Sequence, residues 1–151
     1  MNGPAGNGHA ARDAIVAEAR SWLGTPWHHM GRVKAAGVDC AQLLLGVYQA
    51  VGCIPEVRLG YYPPDWHLHQ DRPRFIEVLA RHAVPVAGEG LAGDVAMFRY
   101  GRHAAHGAIV AGWPLVIHAY RDERAVTLSD AAAHQDLARR FAGFWRLKAL
   151  A

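Results

Sequence analysis

Cysteine is nearly absent: the 151-residue chain has two, Cys40 and Cys53. That is too few for a disulfide scaffold, and their spacing is not that of a CxxC motif, so at most one has a chemical role. Long apolar runs are missing too. The longest, Gly107 to Ile117, is eleven residues broken by Gly112 and Pro114, against the roughly 20 a bilayer span needs. The first residues, Met1 to His9, have neither the basic start nor the apolar run of a secretory signal. Synthesis in the cytoplasm is therefore expected, with export only inside a larger assembly. Lysine is scarce, two against fourteen arginines, and the net charge of +3 is not gathered into a basic stripe. A nucleic-acid partner is not indicated, although the mild excess suits an anionic polymer. Repeats, heptads and glycine-rich phosphate loops are absent as well.

What is present is enough apolar material for one core, at 52% hydrophobic and 19% charged residues. The length predicts a single domain over residues 12–151 behind a flexible N-terminus, 1–11. Ile15, Val16, Ala19, Trp22 and Leu23 fall on one stripe, predicting a helix over Arg12 to Leu23 that Gly24-Thr25-Pro26 stops. Asp39 is placed to cap a second helix, Cys40 to about Val51, with Gln42 completing a capping-box variant and Gly52 in the left-handed C-terminal position. A loop with Pro63-Pro64 follows, then a helix from Asp71 that turns Phe75, Val78 and Leu79 inward. From Gly93 the period changes to two. Asp94–Tyr100, His106–Ala111, Leu115–Tyr120, Ala125–Leu128 and Phe141–Leu147 read as strands, with a polar helical turn near Ser129–Arg139. Helices first and strands after predict an α+β domain with the helices on one side of an antiparallel sheet.

Cys40 stands at the first position of its helix, where free N–H groups and the helix dipole favour a thiolate. The same residue also reads as a small core side chain. Cys53 lies past the helix end and reads as structural. His106 and His118 are symmetric about Gly112. A three-residue turn at Ala111-Gly112-Trp113 puts them directly opposite on one face, their β-carbons about 5 Å apart. One imidazole then orients the other as a base for the thiol, or the two simply bridge the hairpin.

Four blocks occur in order: Trp22-Leu23-Gly24-Thr25-Pro26-Trp27-His28-His29 running on to Gly37-Val38-Asp39-Cys40-Ala41-Gln42-Leu43-Leu44, then Gly93-Asp94-Val95-Ala96-Met97-Phe98, then His106-Gly107-Ala108-Ile109-Val110-Ala111-Gly112, then Val116-Ile117-His118-Ala119. Together they resemble the NlpC/P60 family of bacterial cell-wall cysteine peptidases over most of the chain. The Tyr61-Tyr62-Pro63-Pro64-Asp65-Trp66 segment is most similar to members encoded with phage tails and gene-transfer particles. The resemblance implies a papain-like fold, with N-terminal helices on a small antiparallel sheet or half-barrel. It implies Cys40, His106 and His118 as the catalytic set, Trp27, His28 and Asp39 on the substrate side, and no metal or cofactor. Cleavage of peptidoglycan stem peptides, commonly between D-γ-glutamate and diaminopimelate, is implied too, with phage-like tail proteins as partners.

Two departures stand out. Trp27 replaces the tyrosine the family usually carries after Thr-Pro, and Ala41-Gln42-Leu43 replaces its small-residue sequence after the cysteine. Three alternatives follow: a tail component that only binds the wall, an amidase or acyltransferase on another amide, and a zinc site drawn from His28, His29, His67, His69 and His103. The last lacks an HExxH helix and leaves Cys40 idle.

Overall fold

The computed structural model describes residues 4–62, 74–101 and 103–150. In chain order these form α1 (Pro4–Arg20), β1 (Arg32–Val33), β2 (Gly37–Val38), α2 (Cys40–Ala50), α3 (Arg74–Leu79), β3 (Ala83–Val86), β4 (Val95–Tyr100), β5 (His103–Gly112), β6 (Leu115–Tyr120), β7 (Ala125–Asp130), α4 (Gln135–Arg140) and β8 (Phe141–Leu147). The α+β class read from the sequence is the one observed. Six strands form an antiparallel sheet in the order β3-β8-β4-β5-β6-β7. The inferred start of a helix at Asp71 and the residues Trp66, His67 and His69 lie outside the described residues, as do the side chains of Phe75 and His103.

The sheet's two faces carry separate cores. Ile15, Ala19 and Trp22 of the first helix and its turn, Leu43, Val47 and Tyr48 of α2, and Leu79 of α3 pack against Val95, Met97, Ile109, Ile117 and Leu147. Ala96, Phe98, Val110, Val116 and Tyr120 alternate with that set and face the other way, where Leu137 of α4 covers them. The period of two thus buries both faces. The expectation that every helix lies on one side is corrected: α4, too short to show an apolar stripe, caps the second face.

Three further differences have local causes. Helix α1 starts at Pro4, inside the stretch expected to be a flexible terminus; Gly6 and Gly8 hide the period, while Pro4 suits a first helical position. The short ladder of β1 and β2 and the edge strand β3, with Pro85, are too brief or too irregular to alternate visibly. Gln42 does not close a capping box. Its side chain accepts from Arg32 Nε at 2.6 Å and donates to the Tyr62 hydroxyl at 3.3 Å.

Asp94 ties the fold together. Its fully buried carboxylate accepts from Arg12 Nη1 at 3.0 Å, from Arg146 Nε and Nη2 at 3.1 and 2.9 Å, and from the Leu91 N–H at 2.8 Å. Removing such a carboxylate leaves two guanidinium groups without their counter-charge, at a cost of about 3 kcal/mol.

Candidate active site

The N-terminus of α2 meets the sheet at β5. Asp39 caps the helix, its Oδ1 accepting from the Gln42 N–H at 2.9 Å. Its Oδ2 accepts from the Met30 N–H at 2.8 Å and from the Tyr62 hydroxyl. One buried carboxylate thereby fixes the helix start, the 27–31 loop and the segment after α2. Asp39 is only 4% exposed, so its observed contacts are with the protein.

Cys40 follows, half-buried, its sulfur accepting hydrogen bonds from backbone N–H groups that include Gly107. Gly107 is next to His106, so the strand that carries the imidazole also runs past the thiol. The thiolate expected from the helix dipole is not favoured. Burial, and then the Asp39 carboxylate, push the Cys40 thiol up to about 12, and the N–H groups only partly offset this. The resting group is a neutral thiol.

His106 and His118 come together, though not by the expected register. Ile109 pairs with Ile117 and Val110 with Val116, and an irregularity follows before Gly112 meets Leu115. This sets His118 beside Ala108 and leaves His106 two positions further along, a diagonal neighbour on the same face. The turn is Trp113-Pro114, not one centred on Gly112, because β5 holds an extra residue. The rings still bond, His106 Nε2 to His118 Nδ1 at 2.8 Å. His118 Nε2 lies 3.0 Å from Ser129 Oγ.

His118 is fully buried, and desolvation lowers its pKa to about 4, so it is neutral near pH 7. In the tautomer whose Nε2–H donates to Ser129, its Nδ1 accepts from His106 Nε2–H. That tautomer makes Nδ1 the basic nitrogen of His106. Ser129 was missed in the sequence because β7 was ended at Leu128. Carried on to Asp130, the strand pairs Ser129 with Val116 and Thr127 with His118, and so places the serine on the histidine face.

Aromatic rings enclose both sides. The Tyr120 ring stacks on His118 at 4.9 Å, and Tyr100 meets His106 edge-on at 5.8 Å. On the helix side Trp27 is half-buried, parallel to His29 at 6.5 Å and under the Arg121 guanidinium at 5.5 Å. His29 meets the edge of Tyr62 at 5.1 Å. His28 is exposed, its Nδ1 3.0 Å from the His29 carbonyl and its Cβ against Gly37. A Cβ on Gly37 would sit 2.7 Å from that of His28, so glycine is what lets the loop close there. Tyr61 is exposed while Tyr62 is buried, which separates two residues the sequence treated alike.

A cavity of about 380 Å³ opens between α2, the 54–62 segment and α3. Among the described residues Ala41, Leu44, Ile54, Tyr62 and Val78 line it, and Cys40, His106 and His118 do not. Also among the described residues, no group of three or more His, Cys, Asp or Glu is placed to hold a metal, and no helix is long and apolar enough to cross a membrane.

Solved structures share this arrangement of elements. The NlpC/p60 domain of the peptidoglycan hydrolase SagA matches with a TM-score of 0.58 at 22% identity, covering 89% of this chain and 97% of that one. The fold is that of an NlpC/P60 domain. An NLP/P60-family protein similar to a lipoprotein, from Staphylococcus aureus, matches with a TM-score of 0.64 at 20% identity, over 91% of this chain and 41% of that one. The peptidoglycan hydrolase RipB of Mycobacterium tuberculosis gives 0.58 at 21%, over 97% and 72%. This NlpC/P60-like chain thus spans about two-fifths of the staphylococcal protein and nearly all of the SagA domain. No family model matches the sequence, and no curated protein matches it in sequence.

Proposed function

We propose that the protein is a cysteine peptidase of peptidoglycan stem peptides, cutting between D-γ-glutamate and diaminopimelate. The observation that carries this reading is the hydrogen-bonded series His106–His118–Ser129, which starts on the strand whose Gly107 backbone bonds the Cys40 sulfur. A nucleophile, a base and a group that orients the base are the parts acyl transfer needs. The NlpC/P60 fold, shared with peptidoglycan hydrolases, supports the substrate class.

The mechanism follows from the proton positions. Because the Cys40 thiol rests protonated, proton transfer to His106 accompanies attack of the sulfur on the amide carbonyl. The Cys40 N–H, at the helix start and outside the helix's own hydrogen-bond ladder, donates to the oxyanion. His106 passes its proton to the leaving amine as the C–N bond breaks, leaving a thioester on Cys40. Water, deprotonated by His106, cleaves the thioester and restores the thiol. Trp27 and His28 border the approach from the helix side, and Asp39 holds that side in place. The setting we propose is a phage-like tail that opens the wall locally, with tail proteins as partners; the Tyr61 to Trp66 segment supports it.

The test is incubation of wild type and Cys40→Ala with diaminopimelate-type peptidoglycan, followed by mass spectrometry of released peptides. New amino termini on diaminopimelate with wild type alone are expected. Wall binding by both proteins without cleavage by either overturns the hydrolase reading.

A further inference from the structure

Arg140 ends α4 and lies on the histidine side of the site. Its guanidinium centre is 4.3 Å from the Tyr100 ring centroid, and the same ring meets His106 edge-on at 5.8 Å. His106, Tyr100 and Arg140 therefore form a row leading away from the base. Among the described residues, Arg140 has one acceptor, the Arg99 carbonyl at 3.1 Å from Nη1, and its Nε is buried with none. Asp136, close enough for the Arg140 charge to help lower its pKa, is hydrogen-bonded to Arg139 at 2.7 Å, and Glu123 pairs with His134 at 3.2 Å. Asp122 is exposed on the turn after β6. A half-buried guanidinium stacked on an aromatic ring, with no carboxylate hydrogen-bonded to it among the described residues, is set up to receive one.

The position fixes which part of a substrate that is. The leaving amine must reach His106 to be protonated, so whatever the leaving residue carries extends toward Tyr100 and Arg140. Diaminopimelate ends in a second ammonium and carboxylate pair, whereas lysine ends in an ammonium that Arg140 would repel. We propose that Arg140, held on Tyr100, binds a free carboxylate of the leaving residue and so selects diaminopimelate stem peptides over lysine ones. This rests on the peptidase reading above and names the specificity of that site.

The experiment uses two peptides, L-alanyl-D-γ-glutamyl-diaminopimelate and the same peptide amidated at the distal carboxylate. Cleavage is followed with wild type, Arg140→Gln and Arg140→Lys, and affinity is measured by calorimetry with Cys40→Ala alone and combined with Arg140→Gln. For wild type we expect a KM about tenfold or more lower for the acid, the scale of one charge-assisted hydrogen bond. Arg140→Gln makes the two peptides equal, and Arg140→Lys restores part of the preference with kcat little changed. Equal KM values with wild type, or a preference that survives in Arg140→Gln, overturn the inference while cleavage itself upholds the peptidase. If neither peptide is cut, the calorimetry decides. A preference for the acid that Arg140→Gln erases keeps the carboxylate site and overturns the peptidase; equal or absent binding overturns both. Should Arg140→Gln fail to fold, the wild-type comparison and Arg140→Lys carry the test.

Discussion

The two sides of the site are built on different principles. His106, His118 and Ser129 stand on three adjacent strands, and the backbone ladders between β5, β6 and β7 fix their separations. Cys40, by contrast, is placed through one carboxylate, Asp39, which gathers Met30, Gln42 and Tyr62 from three separate segments. The sheet side is precise because its geometry is a repeat of backbone hydrogen bonds. The helix side is precise only while its side-chain bonds hold. Damage to the first should therefore appear in chemistry and pH dependence, and damage to the second in stability and loop order.

The largest effect separating them is with acid. His118 has a folded-state pKa of about 4 against 6.5 for the free side chain. Above pH 6.5 both states are neutral and the shift has no effect. As pH falls toward 4 the unfolded chain takes up a proton that the folded one refuses, so stability is lost across that window, by about 3 kcal/mol from this group. Urea unfolding at pH 7 and pH 4 measures the loss, and His118→Gln should lose less than wild type over the same interval. An equal loss would locate the acid sensitivity elsewhere.

Next comes Asp39→Ala, expected to cost about 2 kcal/mol through the lost cap and the lost hydrogen bond from Tyr62. Urea midpoints report it, and greater hydrogen exchange at Met30 would trace the effect to the loop. Ser129→Ala should lower kcat about tenfold, the worth of one buried hydrogen bond, while KM stays within twofold. A changed KM with unchanged kcat would refute the tautomer assigned to the histidine chain. The smallest effect is expected of Tyr62→Phe, about 1 kcal/mol in stability with an unaltered pH profile of kcat.

Much of this was legible in the sequence where a single local rule governs. The Asp39 cap, the extent of α2 and the strand faces of His106 and His118 each depend on neighbours within a few positions. The hairpin register was not, because an extra residue in β5 leaves no mark on an alternating pattern; the two histidines met anyway, since a shift of two positions preserves the face. The state of Cys40 was misread for a different reason. The helix dipole is visible in sequence order, but burial and the Asp39 charge depend on how the helix docks. Tyr62 was visible only as an aromatic in a loop, because its partner lies 23 positions away.

The place of β8 has a consequence for how the protein is made. The last strand of the fold is inserted between β3 and β4, and Arg146 within it supplies two of the hydrogen bonds to the buried Asp94. A nascent chain that has not been extended through Leu147 holds a sheet with a missing middle and a carboxylate short of one partner. Assembly of the domain therefore waits for synthesis to pass β8, and a ribosome paused before that point displays helices and hairpins but no completed sheet.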